Sequence, residues 1–304
     1  MSRWQADLGL VLITLIWGST FVVVKQSLDS VSPLFFVASR FWVGTLALLA
    51  LYGLRRPAQP KPLTPALLRD GVLTGLFLTG GFITQTIGLQ STEASKAAFI
   101  TGLNVVLVPL FAALLLRQPP AWHALAGVAL STVGLAVMTL DPTLTLARGD
   151  LWVMACAAGF AMHIIAISRY SARHELFPYT LVQLLTTALI ATLASLLLEQ
   201  NSFAAFRVVL PAILYMGVIA TALVFGLQTW VQRYTTPTHT ALIFALEPVF
   251  AALFAIIFAN ETLENKEWFG GALILLGMLL AESVDAWQAA RARKATLNPA
   301  GPGV

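Results

Sequence analysis

Ten apolar runs of roughly 20 residues, at about 7–27, 34–54, 71–90, 95–116, 122–140, 150–169, 177–198, 209–234, 237–259 and 266–286, leave this chain few ways to fold. A run of that length crosses a hydrocarbon layer about 30 Å thick as a helix, and lipid admits only structures that satisfy their own backbone hydrogen bonds. The connections are short and rich in Pro, Ser, Thr and charge, with no room for a soluble domain. Composition agrees: 58% of the 304 residues are hydrophobic and 11% charged, against roughly a quarter charged in a soluble domain. The expected class is an all-α integral membrane protein with ten transmembrane helices. The first run is too long for a signal-peptide core, contains Trp17 and lacks a following small-residue cleavage site, so it reads as a retained helix.

The net charge of +4 does not point to a nucleic-acid partner, because the basic residues lie in short connections and act as topology signals. With the N-terminus inside, the cytoplasmic connections and tail hold twelve Lys and Arg (Arg3, Arg55, Arg56, Lys61, Arg69, Arg117, Arg169, Arg173, Arg233, Arg291, Arg293, Lys294). The outer connections hold five (Lys25, Lys96, Arg148, Arg207, Lys266). This bias places both termini in the cytoplasm, and the expected location is a bacterial inner (plasma) membrane. Residues 287–304 read as a disordered basic cytoplasmic tail. The single cysteine, Cys156, rules out an intrachain disulfide, and no cysteine cluster for a metal exists; no cofactor is expected.

The halves match at a shift near 144 residues. Asp7-Leu8 recurs as Asp150-Leu151, Pro33 as Pro178, Thr92 as Thr236, Ala97 as Ala241 and Gly127 as Gly271. Their conserved order and near-constant offset read as a duplication, with one five-helix repeat in residues 1–145 and a second in 146–286. Five spans per copy make the second enter from the opposite side, which gives two inverted five-helix repeats and suits alternating access. Gly127 and Gly134 in the fifth run, and Gly270 and Gly277 in the tenth, sit seven apart and read as close-packing positions.

The ninth run carries Glu247-Pro248 near its middle. A carboxylate at mid-bilayer is costly, and Pro248 frees the carbonyl of Phe244, so the pair reads either as a tolerated kink or as a site facing a water-filled path. Counting about 1.5 Å per residue puts Trp17, Asn104 and Glu247 at one depth. Trp17 offers a flat wall or plain packing; Asn104 offers an amide to a substrate or an interhelical hydrogen bond. His163 matches Ser19 or Thr20 of the first run and is a proton carrier or a neutral hydrogen-bonded histidine. Gln85 and Gln228 are cavity or helix-bridging groups, and His239 a solvated one near a span end. Arg40 and Lys25 either snorkel to headgroups or turn inward, where one of them holds a substrate carboxylate or pairs with Glu247, and Arg40 suits a bidentate carboxylate contact better than Lys25. The candidate substrate-binding set is therefore Trp17, Ser19, Arg40, Gln85, Asn104, His163, Gln228 and Glu247, with Glu247 the titratable or polar gate and protons the candidate coupling ion.

Four stretches, Ile16–Lys25 (IWGSTFVVVK), Ala38–Trp42 (ASRFW), Thr92–Ile100 (TEASKAAFI) and Ala245–Leu253 (ALEPVFAAL) with Asn260–Leu263 (NETL) after it, resemble the EamA-type permeases of the drug/metabolite transporter superfamily. The resemblance runs from about residue 7 to 284. It implies a ten-helix fold whose members move small metabolites, often exporting amino acids or related compounds, through a cavity between the repeats. The first repeat departs from the pattern, with Leu103-Asn104 opposite Glu247-Pro248 and Arg117-Gln118 opposite Glu261-Thr262. Any proton handling therefore rests on the second repeat. The expected function is a secondary active exporter of small metabolites such as amino acids, with a broad drug efflux pump or a metabolite importer as alternatives. No Walker A loop, His-Glu-x-x-His or Gly-x-Ser-x-Gly supplies enzyme or ATPase machinery.

Overall fold

The computed structural model describes residues 3–54, 63–92, 94–117, 119–139, 147–200, 203–259, 265–266 and 268–280. Among the described residues the chain is helical and has no strand. The helices are α1 (Arg3–Gly18), α2 (Thr20–Ser27), α3 (Pro33–Leu54), α4 (Pro65–Leu89), α5 (Ala94–Gly102), α6 (Asn104–Leu116), α7 (Trp122–Thr139), α8 (Arg148–Tyr170), α9 (Leu176–Leu198), α10 (Phe203–Gly217), α11 (Val224–Val231), α12 (Pro237–Phe244) and α13 (Glu247–Ala259). A last apolar helix, α14, covers Trp268–Leu280. Joined end to end where they continue each other, they give eight helices long and apolar enough to cross a membrane and two shorter apolar ones, Trp122–Val137 and Trp268–Leu280. The Asn260–Leu263 motif and the basic tail lie outside the described residues.

Several differences from the expected spans have local causes. The third span begins at Pro65 rather than near 71, because Thr64 caps it, accepting from the Leu67 amide at 3.2 Å, and proline fits the first helical position. The eighth span is not one regular helix: a π turn at Val218–Leu223 joins α10 to α11. Pro248 does not kink a continuous ninth helix either. It sits in the first turn of α13, where a missing amide costs little, just after α12 has ended at Phe244.

Hydroxyls inside the apolar spans satisfy themselves on their own helix. Thr14, Thr45, Thr74, Thr79, Thr132 and Thr192 each donate to the carbonyl four residues back at 2.7 Å. Leucines such as Leu49, Leu193, Leu196 and Leu197 cover the outside, an apolar surface suited to lipid. Helices α3, α4, α8 and α9 pack side by side, and α1 lies against α11, α12 and α13. Where α7 and α14 meet, a Cβ on Gly134 would stand 2.6 Å from the Gly270 carbonyl and one on Gly277 2.7 Å from that of Gly127, so these glycines allow a close backbone approach. Two buried clusters result, one around Leu10, Ile13, Val105 and Ile243, the other around Phe41, Leu78, Leu184 and Phe225; Trp17 packs against both.

Candidate functional site

Between those clusters lies a narrow cavity of about 40 Å³, reached by side chains from seven spans. Four of the spans are interrupted at its level. α1 gives way to α2 at Ser19, α5 to α6 at Leu103 and α12 to α13 at Ala245–Leu246, each with a tightened backbone bond: Ser19 to Ile16 at 3.2 Å, Leu103 to Ile100 at 3.2 Å, Leu246 to Ile243 at 3.0 Å. The fourth interruption is the π turn. Trp17 stands just before the first break; Asn104 and Glu247 are the first residues of α6 and α13, just after the second and third. Broken helices are tolerated at membrane depth where they line a cavity.

Seven of the eight expected site residues line this one chamber: Trp17, Arg40, Gln85, Asn104, His163, Gln228 and Glu247. Arg40 turns inward rather than snorkelling and is 3% exposed. Its Nε donates to Thr221 Oγ1 at 2.8 Å and its Nη2 to the Ala220 carbonyl at 3.2 Å, both in the π turn, while its guanidinium lies 4.5 Å over the Phe82 ring. The same Ala220 carbonyl accepts from Trp17 Nε1 at 3.4 Å. A π turn shifts carbonyls out of the α-helical register, which leaves one to take two side-chain donors. Among the described residues Arg40 has no carboxylate partner, and the carboxyl of Glu247, a residue 9% exposed, has no hydrogen bond or ion pair.

The remaining polar groups are partly engaged. Gln85 Nε2 donates to Thr101 Oγ1 at 3.2 Å, so it both lines the chamber and bridges two helices. His163 Nε2 pairs with Gln183 Oε1 at 3.1 Å, and Gln228 Nε2 donates to Gln232 Oε1 at 3.0 Å. Asn104 Oδ1 and Gln228 Oε1 are buried acceptors with no donor among the described residues, an expensive arrangement unless something else in the chamber supplies one. Aromatic rings make the rest of the wall. Trp17 packs on Phe225 at 5.7 Å and Phe244 at 5.1 Å, and Phe82 on Phe225 at 5.9 Å and Phe160 at 4.9 Å. Sequence reasoning missed these phenylalanines because one phenylalanine in an apolar span looks like any other. The Arg40-Phe41 neighbourhood was the available cue, since a buried guanidinium calls for a π face.

Three residues stand elsewhere. Ser19 bonds to the Ile16 carbonyl at 2.7 Å and to Tyr215 Oη at 2.6 Å, off the cavity wall. Lys25 neither snorkels nor reaches the chamber; its Nζ donates to the carbonyls of Leu89 at 2.6 Å and Thr92 at 3.0 Å, closing the end of the third span. His239 is buried rather than solvated, with Nε2 2.8 Å from Asp7 Oδ1. Similar acid pairs fasten other span ends: His174 with Asp70 at 2.8 Å, and Lys96 with Asp150 at 2.6 Å, where Thr92 and the Ala147 amide also bind the carboxylate.

The model of the EamA-like transporter family matches residues 4–140 and again residues 147–282. An uncharacterised transporter of Archaeoglobus fulgidus is 33% identical over 284 residues, covering 92% of this chain and 86% of that one. A Salmonella typhimurium protein named "Probable amino-acid metabolite efflux pump" is 29% identical over 92% of this chain and 95% of its own. An S-adenosylmethionine/S-adenosylhomocysteine transporter of Chlamydia muridarum is 31% identical over 41% of this chain and 39% of its own. A crystal structure sharing 20% identity superposes with a TM-score of 0.79 over 93% of this chain and 97% of that one, which shows the likeness of fold. With the family model matched over both halves and a relative at this identity along nearly the whole length, the chain belongs to the EamA-like transporter family: it is a multi-span membrane transporter and not an enzyme.

Proposed function

We propose that the protein is a secondary active exporter of α-amino acids or closely related zwitterions in a bacterial inner membrane. One observation carries this reading. A buried guanidinium, Arg40, and a buried carboxyl, Glu247, line the same chamber, and neither has an opposite charge beside it among the described residues. An uncompensated buried ion is costly, so each group calls for a counter-charge from the cargo. A zwitterion supplies both: its carboxylate to the planar fork of Arg40, its ammonium to Glu247, while the aromatic wall takes an apolar side chain. Asn104 Oδ1 and Gln228 Oε1 are further acceptors for the ammonium. The names of the relatives fit, since amino-acid metabolites, S-adenosylmethionine and S-adenosylhomocysteine share the same α-amino-acid head.

In this reading ten spans form two inverted repeats, 1–145 and 146–286, that rock about the chamber, with both termini in the cytoplasm. The family model's two successive matches and the breaks at Leu103 and at Ala245–Leu246 support the duplication. Protons are the coupling ion, exchanged at Glu247 when the ammonium leaves.

The test is a thermal-shift series on detergent-solubilised protein with the twenty amino acids, followed by counterflow of labelled hits in proteoliposomes. A ligand of the folded state raises its apparent stability by mass action. Stabilisation by one or more amino acids that is lost in both Arg40→Ala and Glu247→Gln is the expected result. No amino acid stabilising or exchanging with wild type, or a hit retained in both variants, overturns the reading.

A further inference from the structure

The chamber's aromatic wall is not equally fixed along its length. Phe82 is 5% exposed and meets Phe41, Phe160 and Phe225; Phe225 is 1% exposed and meets Trp17, Phe41, Phe82 and His163. Rings held on several sides cannot turn without displacing neighbours. Phe160, on α8, is only half-buried, and its ring contact among the described residues is with Phe82 alone.

What stands behind Phe160 is Gly81 on α4, which does not line the chamber. A Cβ on Gly81 would come within 2.5 Å of both Cδ1 and Cε1 of Phe160 and 3.1 Å of Cζ. The ring therefore lies directly on the glycine. The two helix backbones are closely packed at this level, so parting them would undo that contact: a Cβ on Gly159 would stand 2.8 Å from the Gly81 nitrogen and 3.3 Å from the Phe77 carbonyl. A side chain at position 81 therefore meets the Phe160 ring first, and that ring already lines the chamber.

We propose that Gly81 determines the size of side chain the transporter accepts, acting as a positioning residue through Phe160: the glycine lets the ring lie back, which widens the chamber for apolar cargo. The proposal rests on the chamber being an amino-acid site. It names a specificity determinant outside the lining, and Phe160 as the wall that moves.

The experiment is counterflow in proteoliposomes with labelled L-alanine, L-leucine, L-phenylalanine and L-tryptophan, for wild type, Gly81→Ala, Phe160→Ala and the double variant. The readout is each rate relative to that of L-alanine. Gly81→Ala should lower the tryptophan-to-alanine ratio by about tenfold, the scale on which a pocket discriminates a few methylenes. Phe160→Ala should raise it, and the double variant should match Phe160→Ala, since the added methyl then has no ring to push. A ratio unchanged in Phe160→Ala, or a double variant as restrictive as Gly81→Ala, overturns the proposal. If Gly81→Ala yields no folded protein, Phe160→Ala and the double variant decide. Wild type exchanging none of the twenty amino acids refutes the amino-acid reading, and this inference with it; wild type exchanging another amino acid but none of these four, or moving them with unaltered ratios in every variant, refutes this inference alone.

Discussion

The fourth and ninth spans make a natural comparison, because both break at the chamber and both restart there with a polar residue. α6 begins with Asn104 and α13 with Glu247, and a Cβ on Gly102 would lie 3.8 Å from the Pro248 ring, so the two breaks face each other. The backbone does the same thing twice; the chemistry does not. Among the described residues one break offers a neutral amide with an unpaired oxygen, the other a carboxyl without a partner. Only the ninth break carries a proline, while in the fourth a valine, Val105, follows Asn104. A break without proline means that the imide ring is not required for a helix to stop at this level. The difference that remains is charge, and charge at a desolvated site is worth several times a neutral hydrogen bond.

That contrast orders the expected effects. Glu247→Gln should have the largest, since leaving a buried ammonium without its counter-charge costs about 2–5 kcal/mol. We expect amino-acid exchange in proteoliposomes to fall by about 30-fold or more, with the amount of folded protein unchanged because the Glu247 carboxyl bonds to no other side chain among the described residues. A variant with near-normal exchange would make the two breaks equivalent and remove the reason for preferring the ninth. Thr221→Val comes next. It takes away the 2.8 Å acceptor of Arg40 Nε, a hydrogen bond to a charged group, and should weaken ligand-induced thermal stabilisation by about tenfold in apparent affinity. Thr221→Ser, which keeps the oxygen, should restore it; equal loss in both would mean that the π turn and not the hydroxyl positions Arg40.

Asn104→Ala should be milder, about threefold to tenfold in apparent affinity, the scale of one neutral hydrogen bond. Its melting temperature should stay level or rise, because the change removes a buried acceptor that has no donor among the described residues. A marked fall would show that Asn104 is structural and end its pairing with Glu247. The smallest effect belongs to Pro248→Ala. If the break is set by packing, α13 still starts at Glu247 and unfolding in detergent shifts by less than about 1 kcal/mol; a large shift, or lost exchange, would separate the two breaks after all.

Much of the chamber was legible in the chain. Counting along each span brought Trp17, Asn104 and Glu247 to one depth, and the structure places all three on one cavity. Residues that do not belong in lipid announce themselves by type, which is why Arg40 and His163 stood out as well. Ser19 stood out for a weaker reason, its repeat relation to His163, and a hydroxyl can satisfy itself on its own helix, as Ser19 does at Ile16. His239 looked solvated because depth along a span says nothing about what lies across from it, here Asp7, 232 residues away in sequence.

By itself the sequence determined that this chain spans a membrane as helices, and which polar and ionisable groups lie within its apolar runs. Those properties follow from apolar length and from the cost of burying polar groups, both local and countable. Only the tertiary structure decided which way Arg40 and Lys25 turn, that the eighth span carries a π turn whose carbonyl serves Trp17 and Arg40 together, and that Phe160 rests on Gly81. Each of these depends on the azimuth of one helix against another, and that angle is set by the joint packing of surfaces far apart in the chain.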